Sequence, residues 1–309
     1  MRCLVLGGGG FLGSHLCDAL LAAGHAVRVF DRPNLVRYRS FNSDEKIEWI
    51  EGDFVDREQV AKALSGCDVV YHLISTTLPR SSNDNPVYDI ESNVVSTLHL
   101  LEAAKRHKVA KFVFCSSGGT IYGVPQENPP IKESHPTEPI CSYGIGKLAI
   151  EKYLHLFHLL HGIDYCIFRL ANPYGERQRP STAQGAVAVF LDKALRNETI
   201  EIWGDGSVIR DYLYVGDAVS ALTRALTYEG RRGVFNIGSG SGLSLNDILG
   251  AIEDLIGSPV RTTYLPGRAF DVPVSVLDIS KASEHLDWRP KVSFVEGLSR
   301  TAQWLRDRR

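Results

Sequence analysis

Residues 3–13 read CLVLGGGGFLG, an apolar run that passes directly into four glycines and then into an amphipathic stretch. Gly7, Gly10 and Gly13 give a GxxGxxG spacing between an expected strand and an expected helix. Glycine reaches backbone conformations closed to other residues, so such a turn is tight. It lets the main chain approach a pyrophosphate whose charge rests against the helix N-terminus. A glycine turn alone is weak evidence for a dinucleotide, but its context is stronger. The next apolar run, AVRVF (26–30), leads into Asp31, 18 residues after Gly13, where a carboxylate can bind the ribose hydroxyls of an adenosine and would repel a 2′-phosphate. The expected cofactor is therefore NAD rather than NADP, with the adjacent Arg32 as the opposing signal.

Outward from that turn, short β-rich runs alternate with helical patterns. The runs are IEWI (47–50), DVVYHLI (68–74), KFVFCS (111–116) and YCIFRL (165–170); the amphipathic stretches include 14–24, 57–66, 91–108 and 143–162. That alternation predicts an α/β fold, a doubly wound parallel sheet. After residue 172 the rhythm loosens into NPYGERQRPSTAQG, and one further strand signal, GVFNIG (233–238), arrives late. The expected organisation is a sheet domain over 1–172 that takes back about 215–238, and a smaller C-terminal lobe from 173–214 and 239–309. A ligand cleft is expected between them, at the carboxyl ends of the strands.

Whole-chain properties narrow the ligand class. The 309 residues carry 34 basic and 36 acidic side chains with no block of one sign, so no nucleic-acid or anionic-membrane footprint is expected. Six cysteines without paired spacing argue for a reducing compartment and against a metal site. The N-terminal segment is apolar, but its glycines, His15 and Asp18 interrupt it, and no run of about 18 apolar residues occurs. A cytoplasmic protein acting on a small molecule is expected.

At residues 142–147, SYGIGK, Tyr143 and Lys147 stand four apart at the start of an amphipathic helix, hence on one face. A phenol titrates near pH 10; a neighbouring ammonium and a positively charged nicotinamide both favour its ionised form. Tyr143 could then accept and return a hydroxyl proton. YxxxK occurs on many helices by chance, so the order of motifs must carry the argument.

That order is GxxGxxG at 7–13, Asp31, GDFVD at 52–56, HLIS at 72–75, Asn93, CSSGGTIYG at 115–123, YGIGK at 143–147, RLANPYG at 169–175 and GDGSVIRDYLYVGD at 204–217. Taken together it resembles the extended short-chain dehydrogenase/reductase family, in its NAD-dependent nucleotide-sugar epimerase/dehydratase branch, over nearly the whole chain. The resemblance implies a Rossmann domain holding NAD tightly, a homodimer, a nucleotide-sugar substrate and a place in polysaccharide biosynthesis. By motif-matched position it implies that Gly7, Gly10, Phe11, Leu12, Gly13, Asp31, Asp53, Phe54, Leu73, Asn93, Ser116, Tyr143 and Lys147 contact the cofactor. It places Asn172 near the sugar or its phosphates, Arg210 and Arg268 on the pyrophosphate, and Asp271 on a ribose hydroxyl. Each arginine could instead form a surface ion pair, and Arg210 stands beside Asp211. Phe270 stands where the family has glycine, and Glu176 where it commonly has proline.

The reaction follows from what accompanies the tyrosine. Where the dehydratases of this branch carry Thr-Asp-Glu, this chain has Gly118, Gly119 and Thr120, without a carboxylate, so dehydration and decarboxylation are disfavoured. No histidine matches Cys115 or Cys141 as the fucose-type epimerase/reductases require. The reaction left is NAD-dependent 4-epimerisation of a UDP- or dTDP-hexose through a 4-keto sugar, with a 4-keto-6-deoxysugar reductase or a non-catalytic NAD sensor as alternatives. In an ungapped reading the catalytic hydroxyl falls on Gly118, so Ser117 is the expected substitute, with Ser116 and Thr120 in reserve. Ser275 matches the residue that gates the sugar pocket; it could equally be a solvated strand residue. His155, His158 and His161 recur every three residues without a completing ligand, and His72 reads as structural.

Overall fold

The computed structural model describes residues 1–125, 130–182, 185–267 and 272–308. The chain divides into two compact units: residues 1–122, 136–169 and 219–235 form the first, and 123–135, 170–218 and 236–309 the second.

The first unit is built on strands β1 (Arg2–Leu6), β2 (Ala26–Asp31), β3 (Ile47–Glu51), β4 (Val69–His72), β5 (Lys111–Ser117), β6 (Asp164–Leu170) and β10 (Arg232–Ile237), in the spatial order β10-β6-β5-β4-β1-β2-β3. β1 pairs in parallel with β2 and β4, β2 with β3, and β4 with β5. The order reverses at β1, the strand that feeds the glycine turn, where doubly wound sheets bind their ligands. Helices α1 (Phe11–Ala22), α2 (Arg57–Ala63), α3 (Pro86–Asp89), α4 (Ser96–Arg106) and α5 (Ser142–His161) connect the strands, and a π-helical segment, Ile90–Val95, lies between α3 and α4.

Strand alternation divides the core. Leu4, Leu6, Phe30, Val70, Phe112, Phe114 and Ile167 pack on one sheet face with Leu100, Leu101, Ile150 and Leu154 of α4 and α5. Residues of the opposite parity, Cys3, Val5, Val29, Tyr71 and Val113, are buried as well. On that side the Tyr71 hydroxyl reaches the Leu222 carbonyl of α7 (Val215–Arg224) at 3.4 Å. A sheet buried on both faces explains why these strands read as continuous apolar runs.

In the second unit β9 (Ile209–Tyr214) is central. It pairs in parallel with β7 (Asn172–Tyr174) and β13 (Val274–Ser275), and antiparallel with β11 (Gly242–Ser244). β8 (Ile200–Trp203) and β12 (Thr262–Leu265) form a separate parallel pair. Around them stand α6 (Ala186–Leu195), α8 (Leu245–Ile256), α9 (Ser280–Leu286) and α10 (Phe294–Arg306). α8 opens with a capping box in which the Ser244 hydroxyl accepts the Asp247 amide at 3.0 Å and the Ser244 amide donates to the Asp247 carboxylate at 2.8 Å.

Candidate functional site

The glycine turn has the geometry that a pyrophosphate site needs. Gly7 sits at φ +85°, and a Cβ on Gly13 would lie 2.1 Å from the Gly7 carbonyl oxygen, so neither position tolerates a side chain. α1 starts immediately afterwards with no side-chain cap and no acid in its first turn, so the positive end of its dipole is uncompensated there. Asp31, at the end of β2, is buried; its carboxylate accepts the Gly9 amide at 2.9 Å and the Arg32 amide at 2.9 Å. Burial raises its pKa above the ordinary value, against the pull of those two amides. A glycine cradle with a carboxylate fixed to its rim suits a dinucleotide's pyrophosphate and adenosine ribose. Asp53 is exposed and accepts the Val55 amide at 3.0 Å, while the next residue, Phe54, is buried. Leu73 is half-buried, its amide bonded to the Leu6 carbonyl at 3.1 Å.

A second group of side chains gathers on α5, β5 and the π-helix. Tyr143 and Lys147 line a small cavity with Ile74, Ser75, Asp89 and Asn93. The Lys147 ammonium donates to the Cys115 carbonyl at 2.9 Å and stands 5.5 Å from the Tyr143 ring centroid. Burial lowers the Lys147 pKa, with Cys115, Asp89 and Glu151 opposing it. Burial also lifts the Tyr143 phenol well above its usual range, with Cys115, Cys141 and Asp89 adding to the shift. A base at this position therefore depends on positive charge brought against it.

Asn93 is held from several sides: its amide donates to the Thr76 hydroxyl at 2.8 Å and the Asp89 carboxylate at 2.9 Å, and its carbonyl accepts the Thr76 amide at 2.9 Å. The π register around it is supported by hydroxyls that bond main-chain carbonyls, Ser92 to Tyr88 at 2.6 Å, Thr97 to Asn93 at 2.6 Å and Ser96 to Glu91 at 3.2 Å. π segments of this kind often mark functional sites.

The hydroxyls of CSSGGTIYG separate by environment. Ser116 is buried and donates to Glu151 at 2.6 Å; Glu151 in turn pairs with Arg169 at 2.7 Å, whose other nitrogen donates to the Tyr122 hydroxyl at 2.9 Å. The Ser116 side chain, expected at the cofactor, is thus committed to a buried ion-pair network. Ser117 is half-buried and lies on the opposite strand face, that of Cys115, whose carbonyl accepts the Lys147 ammonium. Thr120 keeps a buried hydroxyl without a hydrogen-bond partner among the described residues, and its carbonyl abuts Gly144, where a Cβ would come within 2.8 Å.

In the second unit the Asn172 amide donates to the Asp211 carbonyl at 3.0 Å. Arg210 donates to the Ile209 carbonyl at 2.9 Å and the Val272 carbonyl at 2.5 Å. Asp211 is buried and accepts the Ser239 amide and hydroxyl at 2.7 Å each and the Leu277 amide at 3.3 Å. Ser275 is buried opposite Arg210 in the β13–β9 register, which removes the reading of it as a solvated strand residue. Arg268 and Asp271 lie outside the described residues.

The features that could be mistaken for chemistry resolve physically. His155 lies 3.3 Å from the Tyr165 hydroxyl, His158 3.1 Å from the Ile163 carbonyl, and the His161 ring packs on Phe157. Among the described residues no group of three His, Cys, Asp or Glu side chains could hold a metal ion. His72 is buried among Phe54, Phe112 and Phe114 with one ring nitrogen 2.9 Å from the Thr97 hydroxyl, and burial drives its pKa well below the usual value, so it stays neutral. Two groups escaped the sequence reading. Glu151 was findable, four residues after Lys147 on one helix face; Asp89, at the end of the short α3, gave no signal.

Comparison with known proteins agrees with this geometry. The model of the NAD dependent epimerase/dehydratase family matches residues 3–238. The chain belongs to that family. A UDP-glucose 4-epimerase of Mycolicibacterium smegmatis is 38% identical over 312 residues, covering 100% of this chain and 99% of the relative. The crystal structure of the Thermotoga maritima UDP-glucose 4-epimerase with UDP-glucose superposes with a TM-score of 0.94 at 37% identity, covering 100% of this chain and 99% of the other. That of the Thermus thermophilus enzyme with NAD gives 0.90 at 34% identity and 99% of both chains. The epimerase/dehydratase pattern is thus carried by both the sequence and the backbone along its full length.

Proposed function

We propose that the protein is an NAD-dependent 4-epimerase of nucleotide sugars, with UDP-hexoses as its substrates. The observation that carries this reading is the pairing of Tyr143 with Lys147 on α5, in a chain whose glycine turn suits a dinucleotide and whose loop at Gly118, Gly119 and Thr120 has no carboxylate. Gly7, Gly10, Phe11, Leu12 and Gly13 hold the pyrophosphate of NAD, Asp31 its adenosine ribose, Asp53, Phe54 and Leu73 the adenine side, and Asn93 the nicotinamide end. NAD bound there supplies a reversible hydride acceptor, which makes oxidation and re-reduction at the sugar C4 redox-neutral.

The protein's own share is proton handling and orientation. Tyr143 accepts the C4 hydroxyl proton as the 4-keto sugar forms and returns it afterwards. Lys147 stabilises the ionised phenol, and Ser117 donates a hydrogen bond that holds the C4 oxygen. Asn172, Arg210, Arg268 and Asp271 grip the nucleoside diphosphate, and the small Ser275 leaves room for N-acetylated or uronic sugars. No part of the loop supplies the additional acid that eliminating water would demand.

The helices of the first unit also expose apolar side chains, Val95 on the π-helix and Ile145, Leu156, Leu159 and Leu160 on α5, which suit the face of a homodimer. Light scattering behind size exclusion tests that directly. The described cysteines are all free, which fits the reducing cytoplasm, and no described helix is long and apolar enough to cross a membrane. The catalytic reading is tested by supplying purified protein with UDP-glucose, UDP-N-acetylglucosamine, UDP-glucuronate and dTDP-rhamnose without added cofactor. Interconversion of at least one C4 epimer pair supports it; a requirement for stoichiometric reduced cofactor points instead to a reductase.

A further inference from the structure

We propose that Asp89 is a positioning residue for this reaction: its carboxylate ties the first turn of the Tyr143 helix to the segment that carries Asn93. The proposal rests on the epimerase reading above and extends it to a residue that the reading gives no role.

Asp89 closes α3 and is 2% exposed. One carboxylate oxygen accepts the Thr77 hydroxyl and the Asn93 amide, the latter at 2.9 Å; the other accepts the Ser142 hydroxyl at 2.6 Å. The same Asn93 nitrogen also donates to the Asp89 main-chain carbonyl at 3.0 Å. A buried carboxylate is costly unless its lone pairs are satisfied, and here three donors from three chain segments converge on it.

The start of α5 needs such help. Its N-cap residue, Cys141, provides no side-chain cap for the Ser142 and Tyr143 amides. They are satisfied from the segment before α3: the Ser142 amide donates to Asn83 at 2.9 Å and the Tyr143 amide to the Ser82 hydroxyl at 3.1 Å. Together with the Asp89–Ser142 bond, these contacts place Tyr143 relative to Asn93 through residues 77–93. Residue-level precision of this kind governs turnover more than binding.

Charge assigns Asp89 a positioning role rather than an activating one. Tyr143 is faced by Lys147 on its own helix, Cys141 ahead of it, Cys115 on β5 and Asp89 on α3. A negative charge at Asp89 opposes ionisation of the phenol, so it works against the chemistry electrostatically. Its contribution is to hold geometry and to keep Lys147 protonated.

The test is Asp89→Asn, read by epimerase kinetics and by ultraviolet difference titration of the Tyr143 phenol in the NAD-loaded protein, with Tyr143→Phe as the blank. The proposal expects kcat to fall roughly tenfold or more with KM unchanged. It expects the Tyr143 titration midpoint to move to lower pH by about one unit, as loss of a nearby negative charge requires. Wild-type turnover in Asp89→Asn, or turnover lost together with melting temperature while the midpoint stays in place, overturns it. Ser142→Ala keeps the charge and removes one tie. It is expected to lower kcat without an acid shift, and wild-type turnover there overturns the proposal even if Asp89→Asn fails to fold. If the wild type converts no nucleotide sugar, the functional reading fails, while the titration still reports on Asp89.

Discussion

The ammonium of Lys147 stands 5.5 Å from the Tyr143 ring centroid, one turn along the same face of α5, and is anchored by a 2.9 Å hydrogen bond to the Cys115 carbonyl. The lysine thus has a fixed position beside the phenol rather than a place in solvent.

Burial raises the Tyr143 pKa, and the Lys147 ammonium, 5.5 Å from the ring, is the positive charge placed to oppose it. The epimerase rate should therefore rise with pH along its acid limb as Tyr143 ionises. Lys147→Met should move that limb to higher pH and lower the neutral-pH rate by roughly a hundredfold or more. A pH–rate profile of both proteins checks this; an unmoved limb contradicts it.

Asp31 links cofactor affinity to stability. Its carboxyl is raised above the unfolded value, chiefly by burial. A carboxyl raised in the folded state contributes stability that is present below the unfolded pKa and is lost as pH rises through the folded one. At neutral pH its ionised form therefore opposes folding. Asp31→Asn should leave the melting temperature of the cofactor-free protein unchanged or higher, yet weaken NAD binding by about tenfold or more. Differential scanning calorimetry and NAD titration measure the two effects.

The adjacent serines should part company. Ser116→Ala removes a buried hydrogen bond to a charged group and should cost about 1–3 kcal/mol of stability in a denaturant titration. Ser117→Ala should leave stability in place and reduce turnover more than Ser116→Ala does. If Thr120→Val proves the most damaging of the three to turnover, the sugar hydroxyl is held by Thr120 instead.

Two glycines offer a steric contrast. A methyl group at Gly13 collides with the Gly7 carbonyl, whereas one at Gly119 meets nothing within 4 Å. Gly13→Ala should lose bound NAD and soluble expression, and Gly119→Ala should retain the wild-type melting temperature. Absorbance of the purified proteins and thermal unfolding distinguish them.

The sequence made the first unit readable because its sheet is buried on both faces, so each core strand appears as an apolar run and the glycine turn follows β1 without interruption. The second unit was harder to read. Its strands are two to six residues long and pair across large separations, as β7 does with β9 and β13 with the same strand, and local pattern carries no trace of that pairing. Within the site, Tyr143, Lys147 and Asp31 were legible from spacing because each sits at a fixed distance from an element boundary. The π register at Ile90–Val95 was not legible, since it depends on side-chain hydroxyls bonding carbonyls, and Asp89 was hidden for the same reason. The Ser116–Glu151 bond was not legible either, because motif order does not reveal which face of β5 a residue occupies.

The central claim is tested most directly by incubating the purified protein with UDP-glucose alone, adding no cofactor, and following the sugar C4 configuration by proton NMR beside the Tyr143→Phe variant. The account predicts approach to an equilibrium mixture of C4 epimers by the wild type and a rate lower by roughly a hundredfold or more in the variant. Absence of conversion of this and every other 4-hydroxy nucleotide sugar offered, or a variant within a few fold of wild type, would contradict it.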